Sequence, residues 1–104
     1  MPTILQVHFP FEGPFGKAMT DAMAPLAQSI NDEPGLLWKI WTEDPEKKRA
    51  GGVYLFTSQE NAEAYCKMHT ARLQDLGVTD IDAQILAANE PLSAINNGPL
   101  GSVR

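Results

Sequence analysis

The stretch Leu36–Thr57, LLWKIWTEDPEKKRAGGVYLFT, decides how this chain is read. Leu36 to Glu43 and Ala50 to Thr57 have the residue types of two strands, and the charged segment Asp44 to Arg49 between them reads as the turn of a hairpin. Side chains alternate across a strand. Leu36, Trp38, Ile40 and Thr42 are therefore expected on one side, and Leu37, Lys39, Trp41 and Glu43 on the other. The two tryptophans, three apart, fall on opposite faces. Val53 and Leu55 likewise oppose Tyr54 and Phe56, so both faces of the sheet carry large apolar groups. Gly51 and Gly52 predict a bulge or a close approach of backbones.

Upstream, Thr3, Leu5, Val7 and Phe9 alternate with Ile4, Gln6 and His8 and form a first strand. After PFEGP, Phe15, Met19, Ala22, Met23, Leu26 and Ile30 recur at helical spacing, with Pro14 in the first turn and Pro25 expected to kink the helix. Pro34 and Gly35 end it. Downstream, Thr57 and Glu60 predict the capping box of a second helix that Gly77 stops. Ile81 to Ala88 reads as a fourth strand, and residues 89–104 as an irregular arm. The order βαββαβ in a single domain, residues 1–104, predicts an α+β, ferredoxin-like antiparallel sheet with both helices on one side. The opposite side is apolar as well, which predicts self-association into a homodimer.

The chain has 104 residues and a formal charge of −5. That sign disfavours nucleic acid and anionic membrane surfaces as partners. One cysteine, Cys66, allows no intrachain disulfide and suits a reducing compartment. The N-terminal segment MPTILQVHF carries no basic run followed by an apolar core, and no stretch is long enough to span a membrane, so a cytoplasmic location is expected.

The second helix carries the residues with most chemistry. Stepping about 100° per residue from His69, Ala62 and Leu76 fall within ~20°, Tyr65 and Leu73 within ~40°, and Cys66 and Arg72 within ~60°. His69 is thus in the middle of the buried stripe. It reads as a core histidine satisfied by a hydrogen bond, or as a general acid or base in a pocket between helix and sheet with Tyr65 and Arg72 as neighbours. His8 near the end of the first strand, Phe15, Trp38 and Trp41 are the candidates for lining such a pocket. Each also reads as ordinary packing or, for His8, as a polar strand end. Cys66 reads as a small core hydrophobe. Two histidines without HxH or HExxH spacing argue against a dedicated metal centre, and the glycines form neither a dinucleotide fingerprint nor a phosphate loop, so no cofactor is expected.

The pieces LQVHF, GPFG, PLAQSIN through EPGLLWKIWTE, AGGVYLFT, HTARL with LGV, and NEPLSAIN together resemble the YdhR-type family of bacterial mono-oxygenases over nearly the whole chain. The resemblance implies a dimeric α+β barrel in which two ferredoxin-like subunits join their sheets. The family's activity is itself assigned by likeness to small enzymes that oxidise aromatic polyketides to quinones without metal, flavin or heme. It implies a small aromatic substrate and dioxygen as partners. In such a reaction the protein deprotonates a phenol and stabilises the anion. His69 could take the proton, with Arg72, Tyr65 or a tryptophan N–H holding the oxyanion. Two other readings share the fold: a non-catalytic module that binds an aromatic ligand in the same pocket, and a heme-handling protein with His69 as axial ligand.

Overall fold

In a computed structural model that describes residues 2–101, the order is β1 (Thr3–Pro10), α1 (Gly16–Ile30), β2 (Leu36–Asp44), β3 (Arg49–Phe56), α2 (Gln59–Asp75), β4 (Asp82–Ala87) and α3 (Glu90–Ile95). The four strands form one antiparallel sheet in the order β2-β3-β1-β4, the expected α+β, ferredoxin-like arrangement. Among the described residues no helix is long and apolar enough to cross a membrane.

Strand pairing sorts the side chains into two faces. Leu5, Tyr54 and Lys39 form one row across β1, β3 and β2, and Val7, Gly52 and Trp41 the next row on the same face. This face meets the helices: Leu5, Val7, Phe9, Tyr54 and Phe56 share a core with Met19 and Ile30 of α1 and Ala62, Tyr65 and Leu73 of α2. The alternate rows, Ile4–Leu55–Trp38 and Gln6–Val53–Ile40, make the outer face. Burying the five largest enclosed side chains, Tyr54, Phe56, Leu5, Leu55 and Val7, stabilises the domain by about 1.5–3 kcal/mol each.

Trp38 and Trp41 do lie on opposite faces, but Leu36 does not share a face with Trp38. The ladder shifts between Leu36 and Trp38, so Leu36 pairs with Phe56 and turns into the helix-side core. One extra residue in a strand reverses the alternation beyond it. The irregularity is there, whereas Gly51 and Gly52 sit in continuous pairing. Gly51 instead meets the expectation of close approach, because a β-carbon there would run into the Val7 carbonyl oxygen.

The helix ends differ in detail from the pattern-based expectation. Helix α1 begins after Phe15, so Pro14 precedes it rather than occupying its first turn, and the helix runs unbroken through Pro25. The Phe15 side chain cannot cap, and the Gly16 N–H donates instead to Glu43 Oε1 at 2.8 Å, which ties the start of α1 to β2. Helix α2 is capped by Ser58, which accepts from the Asn61 N–H at 3.2 Å, and not by Thr57. The Thr57 N–H is still engaged with the Gly35 carbonyl, so the chain turns into the helix one residue later. Gly77 and Val78 close α2 by donating to Gln74 and Leu73, a Schellman arrangement. Leu76 is exposed because it is the C-cap, where the 100° step of the stripe no longer holds.

The segment after β4 is not wholly irregular. Asn89 accepts from the Leu92 N–H and starts α3. Gly98 then donates back to Ser93, and the Pro99 carbonyl accepts the Trp38 indole N–H at 2.9 Å. The chain following β4, at one edge of the sheet, thus reaches β2 at the other. Pro and Gly in this segment stop a longer helix without preventing a short one.

Candidate active site

The pocket lies between the sheet and the two long helices. Val7 and Phe9 of β1, Ala50 and Gly52 of β3, and Met19, Met23 and Leu26 of α1 provide its apolar walls, and the cavity measures about 150 Å³. Its polar side chains are Lys39 and Tyr54 from the sheet and His69 from α2. Trp41 forms the wall toward β2 and also borders an open groove along α1.

His69 is the residue that helical spacing placed best: it is 5 % exposed and faces this cavity. Its ring stacks on Tyr65 with centroids 5.1 Å apart and meets Tyr54 edge-on at 6.4 Å. Arg72 Nη2 lies 2.8 Å from His69 Nδ1. A guanidinium can only donate, so Nδ1 is the acceptor and the imidazole proton resides on Nε2. Burial, reinforced by the charges of Arg72 and Lys39, pushes His69 down to about 4, so the ring is neutral near pH 7. The Nε2–H has no protein acceptor among the described residues.

Tyr65 and Arg72 stand behind His69 rather than along the cavity. Arg72 Nη2 also reaches Tyr65 Oη at 3.5 Å, and Tyr65 Oη donates to Tyr54 Oη at 3.3 Å. Burial raises both tyrosines above the usual phenol value, Tyr54 further through its interaction with Tyr65, so both stay protonated at neutral pH. Among the described residues no carboxylate pairs with Arg72, and its Nε is buried without a partner.

Of the other residues singled out by sequence, Trp41 lines the cavity. Phe15 stands one ring back, edge-on to Phe11 at 5.6 Å, while Phe11 itself is part of the lining. Trp38 and His8 are not brought to the pocket. His8 pairs with Gly51 and Asp82, and Trp38 with Leu55, all on the outer face. Cys66 is half-buried beside the core and lies 3.9 Å from Thr70 Oγ1.

Two site residues, Lys39 and Tyr54, were not singled out. Lys39 Nζ sits 3.4 Å from the Trp41 ring centroid and 4.6 Å from that of Tyr54. Gly52 makes room for it, since a β-carbon there would come within 2.7 Å of Lys39 Cε. The signal was available in the hairpin: pairing Asp44 with Arg49 across the turn sets Lys39 opposite Tyr54. Among the described residues no three His, Cys, Asp or Glu side chains converge. The chemistry of the pocket thus comes from Lys, His, Arg and Tyr.

A family model described as "Putative mono-oxygenase ydhR" matches residues 4–99. The chain belongs to the ydhR mono-oxygenase family. No curated protein matches the chain. The match to the ydhR family spans all the residues that line the pocket, from Val7 to Val78.

Proposed function

We propose that this ydhR-family chain is a cofactor-independent mono-oxygenase that oxidises a small phenolic or enolic aromatic compound with dioxygen. The single observation behind this reading is a cavity with apolar walls into which Lys39 and the neutral His69 project, with Arg72 behind and no acid among the lining residues. Such a cavity suits a flat apolar molecule bearing one acidic hydroxyl. Deprotonation turns that hydroxyl into an electron-rich anion, and a low-dielectric, cationic pocket favours the anion far more than water does. The His69 Nε2–H donates to the oxyanion, while Arg72 and Tyr65 are positioning residues that hold His69 in that tautomer. Trp41, Phe9 and Met23 hold the ring and exclude water.

The overall conversion balances without an added reductant. A phenol with a hydrogen at the ring carbon para to its hydroxyl reacts with one dioxygen to give a quinone and one water, the substrate giving up both hydrogens and all four electrons. Oxygen uptake with a hydroxynaphthalene is the direct test. We expect turnover by wild type, a loss of 10²-fold or more in His69→Ala, roughly the effect of removing one oxyanion donor, and unchanged turnover in Cys66→Ala. A tryptophan fluorescence response to the ligand without oxygen consumption would instead make the protein a binding module, and turnover only with added metal or flavin would overturn cofactor independence.

The outer face supports a homodimer as part of the same reading. Ile40 is 57 % and Leu86 42 % exposed there, beside Ile4, Val53 and Trp38. A second copy would remove this apolar surface from water. Sedimentation is expected to show a dimer at micromolar concentration and a weaker one for Ile40→Glu; a stable wild-type monomer would overturn it.

A further inference from the structure

We propose that Lys39 is the proton acceptor for the substrate hydroxyl, with the His69 ring beside it acting as hydrogen-bond donor. The assignment rests on the mono-oxygenase reading for its substrate, and on geometry for the residue. A base needs a free lone pair within reach of the substrate. The His69 lone pair on Nδ1 is already occupied by Arg72 Nη2 at 2.8 Å, and the other ring nitrogen carries the proton. Tyr54 and Tyr65 are held as phenols by burial. Arg72 cannot give up its proton under protein conditions. Lys39 remains.

Its position fits the task. The amine sits inside the pocket between the Trp41 and Tyr54 rings, in a space that Gly52 leaves open, and among the described residues no carboxylate holds it as an ammonium. Every element around the cavity points the same way. From β3 it faces Tyr54, from α2 His69 and Arg72, and α1 brings only Met19, Met23 and Leu26. Burial, helped by the Arg72 charge, lowers Lys39 to about 7. A substantial fraction is thus free amine at neutral pH, as in other lysines that serve as bases.

The step is a simple transfer. The substrate O–H bond breaks, its electron pair stays on oxygen, and the amine lone pair forms the new N–H bond. The product is an ammonium beside a phenolate, which His69 Nε2–H can also contact. The net charge of the occupied pocket does not change, so the solvent takes up and releases no proton.

Binding of 1-naphthol, whose phenolate absorbs at longer wavelength than its phenol and whose ring carbon para to the hydroxyl carries a hydrogen, reads this directly. At pH 8 wild type is expected to bind the naphthol as phenolate without releasing a proton to a weakly buffered indicator dye. Lys39→Arg retains the cation but has no lone pair, so the bound phenolate should come with one released proton per site. Lys39→Met should bind the neutral phenol. In turnover both variants should lose 10²-fold or more, the usual range for a missing base. A neutral bound phenol in wild type, or proton release by wild type equal to that of Lys39→Arg, would overturn the assignment. The expected binding pattern together with no oxygen uptake by wild type would leave Lys39 as acceptor and overturn the mono-oxygenase reading. No naphthol binding at all would overturn both.

Discussion

At pH 7 a Lys39→Met variant is expected to be more stable than wild type by about 2 kcal/mol while losing the activity proposed for the pocket. The depression of Lys39 from 10.5 to about 7 reflects the cost that burial, and then the Arg72 charge, place on its charged form. Linkage converts that shift into about 4 kcal/mol at pH 7 relative to an unperturbed lysine. Methionine keeps the apolar stem, and the contacts of the amine with the Trp41 and Tyr54 rings return about 2 kcal/mol to wild type. The sign with pH follows from proton counts. Between pH 7 and 10.5 the unfolded chain holds more protons at this lysine than the folded one, so wild-type stability rises with pH across that window. The advantage of Lys39→Met should therefore shrink from pH 7 to pH 10. Urea unfolding at three or four pH values measures it, and a constant gap would show that Lys39 is not desolvated. A residue that is costly at rest and useful in reaction is the pattern expected of an active site.

Acidification should cost wild type up to about 3 kcal/mol between pH 6.5 and 4, and replacing His69 should remove that part of the slope. His69 titrates at about 4 in the folded chain and near 6.5 when unfolded. In that interval the unfolded state binds the extra proton, so stability falls as pH falls, and below about 4 both states are protonated and this contribution stops changing. The cause is burial first, which penalises the charged ring, and then the positive charges of Arg72 and Lys39. His69→Gln can still present a carbonyl oxygen to Arg72 but takes up no proton. Its stability at pH 7 will be lower through loss of the stack on Tyr65 at 5.1 Å. The diagnostic quantity is the slope from pH 6.5 to 4, which should flatten relative to wild type in urea titrations. An unchanged slope would mean that the imidazole is already protonated or remains solvated.

Both effects have one origin, a pocket in an acidic protein whose interior is basic. The net charge of −5 disfavours phosphate backbones, yet it says nothing about the cavity. Asp21 pairs with Lys17 and Glu12 with Lys48 on the surface, where such pairs are worth little. Among the described residues no acid forms an ion pair with Lys39, His69 or Arg72, which stand together. An anion formed from the substrate would supply the counter-charge.

The sequence by itself determined the strands, the two long helices and the side of α2 that is buried, because alternation at period 2 and recurrence near 3.6 are local consequences of backbone geometry. That was enough to place His69 with Ala62, Tyr65 and Leu73 against the sheet and to put Trp38 and Trp41 on opposite faces. Patterns failed where the period was interrupted. The shift between Leu36 and Trp38 turned Leu36 inward, Leu76 fell at the helix end, and Asn89 began a short helix in a segment whose prolines and glycines suggested none. Only the tertiary structure decided which polar groups meet. Periodicity gives each residue a face but not its neighbours across the core, so it could not separate Trp41, which lines the cavity, from Trp38, which is bound to Pro99 on the far side. Nor could it show that a lysine in a strand of mixed pattern would lose its water. The lowered proton affinity of Lys39 exists only because β3, α1 and α2 close around it, and the fixed tautomer of His69 only because Arg72, one helical turn away, has no acid to answer to.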